Sequence, residues 1–185
     1  HRLASGRDRG FRAELPEGVT SGIAELYAQY HESLVRLLYR RTGDRDRAED
    51  LAQEVFVRAL EAPPRNPRPW LFAVALNLAR DDGRRAARHD RKLEQYSAEQ
   101  ERTAAPAADE EIERREDTDA VRAALALLSE KDRGALLLKA EGFGYGEIAA
   151  ALGLAPGAVG TTLARARRRL VEAYRAEEKR GDGSR

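Results

Sequence analysis

Two groups of residues in this 185-residue chain have the types and spacing that a particular chemistry needs. In the first, counted from Tyr145, Ala149 stands fifth, Gly153 ninth and Val159 fifteenth, with Ile148 and Leu152 at the fourth and eighth places. This is the pattern of a helix-turn-helix. A small fifth residue lets the two helices approach, the ninth takes a left-handed turn that glycine tolerates, and the fifteenth anchors the second helix in the core. In that second helix Val159, Leu163, Ala166 and Leu170 lie within about 60° of one another at 100° per residue, which sends Thr161, Arg165 and Arg168 outward. An exposed arginine on a helix that fits the major groove can reach guanine or a phosphate.

The second group lies earlier. Asp50, Gln53 and Glu54, with Glu49 and Arg58, occupy the helix face opposite an apolar stripe of Ala48, Leu51, Ala52, Val55, Phe56, Ala59 and Leu60. Downstream come Trp70, able to stack, and Asn77, able to hydrogen-bond a base. They lead into a basic stretch of Arg80, Arg84, Arg85, Arg88, Arg91 and Lys92. Arg165, Arg167, Arg168 and Arg169 make a second basic stretch, and an acidic segment from Asp109 to Asp119 lies between the two. The formal net charge is only +1, so the chain is not uniformly basic. Its charge is instead arranged as two nucleic-acid surfaces and an acidic connector.

Other chemistries are poorly served. With no Cys and no Met, disulfides, thiolate catalysis and Cys-ligated zinc are excluded. His1, His31 and His89 lack ligand spacing, and adjacent carboxylates such as Glu49/Asp50 or Asp81/Asp82 diverge by about 100° on a helix, so no catalytic constellation, metal site or cofactor is expected. Gly142, Gly144 and Gly146 follow no strand and precede no Gly-Lys-Ser/Thr, which argues against a nucleotide loop. No apolar run approaches the roughly 20 residues of a membrane span, so a cytoplasmic protein without membrane insertion is expected.

The elements that must position these residues are helices. Charged residues make up 35% and aromatics 6%, the palette of amphipathic helices. Periodicity predicts a helix from about Ser21 to Arg41 and another capped by Asp46 with Glu49. A third is predicted to open at Pro69, after the proline-rich loop from Ala62. From Leu93 to Thr118 the periodicity disappears, which reads as a flexible linker. Ser129 then caps a helix ending at Gly142, Tyr145–Leu152 follows, and Pro156 opens a last long helix. The expected fold is all-α: two small helical domains, 19–92 and 119–178, a linker over 93–118, and disordered segments at 1–18 and 179–185.

The run from Thr42 to Phe56, Thr-Gly-Asp-Arg-Asp-Arg-Ala-Glu-Asp-Leu-Ala-Gln-Glu-Val-Phe, resembles region 2 of the extracytoplasmic-function sigma factors of bacterial RNA polymerase, as does Pro69-Trp70-Leu71-Phe72 with Asn77. The stretches Gly144–Ala149 and Val159–Arg167 resemble region 4. The resemblance implies a protein that binds polymerase core through the β′ clamp helices and β flap, directs it to promoter DNA and assists melting, with an anti-sigma factor as a further partner. It implies core contacts at Asp50, Gln53 and Glu54. It implies minus-ten contacts at Arg65, Asn66, Trp70, Asn77, Arg80, Arg84, Arg85 and Arg88, and minus-thirty-five contacts at Thr161, Thr162, Arg165, Arg168 and Arg169. Gly160 and Thr162 stand where the family commonly has basic residues, so direct reading of the upstream element falls mainly to Thr161 and Arg165. Gly83 replaces a usual apolar residue and weakens its helix by roughly 1 kcal/mol. The alternative is a helix-turn-helix regulator acting without polymerase core; the strand-containing sensor domain such a protein usually carries is not visible.

Overall fold

The structure, a computed structural model, describes residues 17–94 and 109–182. Within them lie seven helices and no strand: α1 Glu17–Thr42, α2 Arg45–Glu61, α3 Pro67–Glu94, α4 Asp109–Ala126, α5 Glu130–Ala140, α6 Tyr145–Leu152 and α7 Ala158–Asp182. Residues 1–16, 95–108 and 183–185 lie outside the described residues, as do the parts of the expected tails and linker that fall on them.

Local signals explain the boundaries. Gly43 takes φ +75° and donates its N–H to the Tyr39 carbonyl at 2.8 Å, which closes α1. Asp44, in extended conformation, then accepts from the Arg47 N–H at 2.9 Å, so α2 is capped two residues before the expected Asp46. Helix α3 begins at Pro67 and not at Pro69. Pro69 falls in the first turn, where its missing N–H costs no helical bond. It then runs unbroken through Gly83 to Glu94, into what reads from sequence as linker; α4 likewise begins at Asp109, inside that span. Ser129 accepts from the Asp132 N–H at 3.2 Å and caps α5 as expected. Gly153 takes φ +60° at the turn of the helix-turn-helix. Pro156 sits in that turn and α7 starts two residues later, at Ala158.

Helices α1, α2 and α3 pack on one another as the first unit; α7 packs against α4, α5 and α6 in the second. Each has its own apolar interior, Leu34, Leu37, Leu38, Val55 and Leu71 in one and Leu138, Ile148, Val159 and Leu163 in the other. The two interiors are continuous. Phe143, fully buried, places its ring 4.7 Å from that of Phe72 on α3, and α3 also packs on α5 and α6. The sequence predicts two separate domains; both are present, and they are docked together. Burying a phenylalanine at such a joint contributes about 1.5–3 kcal/mol.

Candidate nucleic-acid and polymerase interfaces

Helix α2 turns Ala48, Leu51, Ala52, Val55, Phe56 and Ala59 into the first unit's core. Asp50, Gln53 and Glu54 are thereby exposed, as expected, with Asp46 and Glu61 on the same side. Val57, 47% exposed, stands among these acidic residues. It was not singled out in the sequence, although an apolar residue off the buried stripe is a readable signal. Glu54 pairs with Arg58 one turn on at 3.0 Å, which leaves Asp46, Asp50 and Glu61 to carry the face's negative potential.

Helix α3 buries Leu71, Phe72, Ala75 and Ala79. At 100° per residue Trp70, Asn77, Arg84 and Arg88 then share one face within about 40° of its mean direction. Asn77, Arg84, Arg85 and Arg88 are exposed, and Trp70 is half-buried against the apolar core. Arg80 lies off this face, half-buried and 3.4 Å from the carboxylate of neighbouring Asp81. Arg65 and Asn66 are exposed on the loop before α3, and the Asn66 carbonyl accepts from the Trp70 N–H at 3.4 Å. Asp82 pairs with Arg47 and ties α3 to α2. Arg80, Arg84, Arg85 and Arg88 line a cleft of about 860 Å³ together with Arg41 and Arg133, with Asp81 and Glu130 as the acidic groups. That excess of arginine suits phosphate.

In the helix-turn-helix, Ile148 and Ala149 on α6 and Val159, Leu163 and Ala166 on α7 are buried as the spacing predicts. Thr161 and Arg168 are exposed; Arg168 has Glu172 3.9 Å away. Two expectations change. Thr162 is 5% exposed and lies on the core side of α7, one step from Leu163, so it has no surface to offer DNA. Arg165 is half-buried and does not point freely outward: its Nη2 donates to Asp132 at 2.6 Å, and Arg169 Nη1 donates to the other oxygen of the same carboxylate at 2.9 Å. Asp132 is fully buried, and the hydrogen bond from Arg165, with further help from Ser129 and Arg169, holds its carboxyl below the usual range against the opposing effect of burial. Asp132 stands three residues after the Ser129 cap, and its pairing with Arg165 spans 33 residues, which no local pattern shows.

Residues 26–89 match sigma-70 region 2 and residues 118–170 match sigma-70 region 4. The chain is 34% identical over 145 residues to the ECF RNA polymerase sigma factor SigL of Mycobacterium tuberculosis, an alignment covering 75% of this chain and 80% of SigL. The chain belongs to the extracytoplasmic-function sigma factors. It is also 36% identical over 137 residues to the sigma factor EcfG of Rhodopseudomonas palustris, covering 70% and 72% of the two chains. Its fold is similar to those of CnrH, solved with the cytosolic domain of CnrY, and of RpoE from Bartonella quintana, solved with the anti-sigma factor NepR. The TM-scores are 0.60 and 0.59 at 24% identity, with 85% and 84% of this chain covered and 90% and 98% of the others. As a sigma factor the chain acts with RNA polymerase core and promoter DNA in transcription initiation. No catalytic family is indicated, and among the described residues no helix is long and apolar enough to cross a membrane.

Proposed function

We propose that this sigma factor divides its task among three faces. The acidic side of α2, with Asp50, Gln53 and Glu54 around exposed Val57, docks on the β′ clamp helices of core, where an acidic helix complements a basic coiled coil and an apolar centre adds burial. The α3 face meets the minus-ten element: Trp70 and Asn77 take unpaired bases, Arg65 and Asn66 border them, and Arg84, Arg85 and Arg88 hold phosphates with Arg80 at the margin. The outer side of α7 meets the minus-thirty-five element through Thr161 and Arg168, with Arg165 and Arg169 at its flank, and region 4 also engages the β flap. The protein works in the cytoplasm, and the complexes solved for its structural relatives support an anti-sigma factor as a regulatory partner.

The observation that carries this reading is the alignment of Trp70, Asn77, Arg84 and Arg88 on one helix face, which gives a stacking group, a base-reading amide and phosphate contacts in one line. Asn77→Ala is expected to reduce promoter melting, read by permanganate reactivity, more than closed-complex formation, read by footprinting at low temperature. Equal permanganate reactivity of the parent and the variant would contradict the assignment.

A further inference from the structure

The cleft of about 860 Å³ beside α3 is more than a strip of promoter-facing arginines. Helix α3 supplies Arg80, Arg84, Arg85 and Arg88 to it, α1 supplies Arg41 and α5 supplies Arg133. Six arginines there meet two carboxylates, Asp81 and Glu130, an excess of four positive charges. Glu130 is already shared: it accepts from Arg41 Nη2 at 2.8 Å and has Arg133 Nη1 3.9 Å away. Arg41 is 8% exposed and its Nη1 is buried without an acceptor, as is Arg133 Nε. Buried donors left unpaired beside an uncompensated charge cost free energy, and an anion drawn into the cleft offsets it. Among the described residues no carboxylate pairs with Arg84 or Arg85, and both are exposed.

The occupant must be small and highly charged. A duplex cannot enter a space of this size, which falls within the roughly 300–1,000 Å³ of small-ligand sites. Arg80 to Arg88 spans about 12 Å of α3 at 1.5 Å per residue, more than a single phosphate can bridge. Guanidinium forks match the paired oxygens of phosphate, so a row of them suits a row of phosphates. We propose that this cleft is a binding site for a short polyphosphate chain, inorganic or carried by a nucleoside, held by Arg84, Arg85 and Arg88 from α3 and by Arg41 and Arg133 from α1 and α5. A nucleoside has room beside the chain. A second cavity, of about 310 Å³, shares Arg41, Arg80 and Arg133 with the first and adds Asn77, Leu76 and Leu152. Arg41 and Arg133 have no part in the promoter reading above, so the site goes beyond it: promoter phosphates call on α3 alone, whereas the polyphosphate calls on three helices.

Isothermal titration calorimetry of the full-length chain with inorganic tripolyphosphate tests the site at about 0.15 M salt, where diffuse attraction is screened beyond about 8 Å. One saturable site is expected, with orthophosphate bound about tenfold or more weakly because it meets fewer forks. Arg41→Gln on α1, Arg85→Gln on α3 and Arg133→Gln on α5 should each weaken tripolyphosphate binding about tenfold or more, as the loss of a hydrogen bond to a charged group does. Arg45→Gln, at an exposed position on α2 outside the cleft, should bind as the parent does. Asp81→Asn should tighten binding by taking a carboxylate from the rim, and it keeps the test decisive should a variant of buried Arg41 or Arg133 lose its helicity by circular dichroism. Guanosine triphosphate bound at least as tightly as tripolyphosphate supports a nucleotide as the ligand; weaker binding supports the inorganic chain. The absence of a saturable site, or equal weakening by Arg45→Gln and Arg85→Gln, overturns the proposal. So do folded Arg41→Gln and Arg133→Gln proteins that bind like the parent.

Discussion

Asp132 sets what the arginines of α7 can do. By periodicity Arg165 belongs to the outward face, and its side chain does begin there; a buried carboxylate on α5 then draws it back, together with Arg169. Thr161 and Arg168 are left as exposed groups of the upstream set that Asp132 does not hold. Arg168→Ala is therefore expected to cost about 1–3 kcal/mol of upstream binding, with relaxed preference at one base pair, if it reads a base. Fluorescence anisotropy of holoenzyme on single-substitution duplexes checks this, and a uniform loss with a smaller salt slope would make Arg168 a phosphate contact. The Asp132 cluster has a different signature. Its carboxyl titrates below the ordinary 3.8, so its stabilising effect is complete above that value and is lost as pH falls through the lower folded value. Asp132→Asn should lower the melting temperature near neutral pH and flatten its fall as pH drops below the ordinary carboxylate value, where the parent loses this contribution. An acid melting profile unchanged by the substitution would show that the carboxylate is not held this way.

At the level of elements, α2 offers the cleanest separation of core and surface. Because the buried stripe of Ala48, Leu51, Val55 and Phe56 is untouched, Glu54→Lys should weaken core binding about tenfold or more while helicity stays the same, the cost coming from a cation placed against a basic partner. Equal capture of core by the two proteins in a pull-down would remove α2 from the interface. Helices α2, α6 and α7 were legible in the sequence because their apolar residues repeat at three and four and their ends carry glycine or a cap. The start of α4 and the end of α3 were not. Both lie in charged stretches with no apolar face to count, and the abundance of Ala, Arg and Glu there favours helix without leaving a periodic trace. The same propensity lets α3 pass through Gly83, whose cost of about 1 kcal/mol is small beside that of a long helix already nucleated. The candidate site follows the same division. Faces read from one helix, such as Trp70 with Asn77 and Arg84, are where periodicity puts them, whereas Thr162 and Arg165 depend on what packs against α7 from elsewhere in the chain.

At the scale of the whole molecule, the docking of region 4 on region 2 was the least legible feature, because its partners stand about a hundred residues apart: Arg40 with Glu141, Arg41 with Glu130, Phe72 with Phe143. Each reads alone as an ordinary solvated charge or a core aromatic. Together they hold the two units against each other, and the formal charge of +1 adds little general attraction to DNA. Promoter specificity should therefore belong to the holoenzyme: core separates the two units, holds them at the promoter's spacing, and meets the orientational cost before DNA is bound. The measurement that tests this most directly is a fluorescence-anisotropy titration near physiological salt, on a cognate and a scrambled duplex, with the chain alone and with polymerase core. The expected result is weak, sequence-indifferent binding by the chain alone and tight, cognate-selective binding once core is added. Tight and selective binding by the isolated chain, unchanged by core, would contradict the account and make the protein a helix-turn-helix regulator acting without polymerase core.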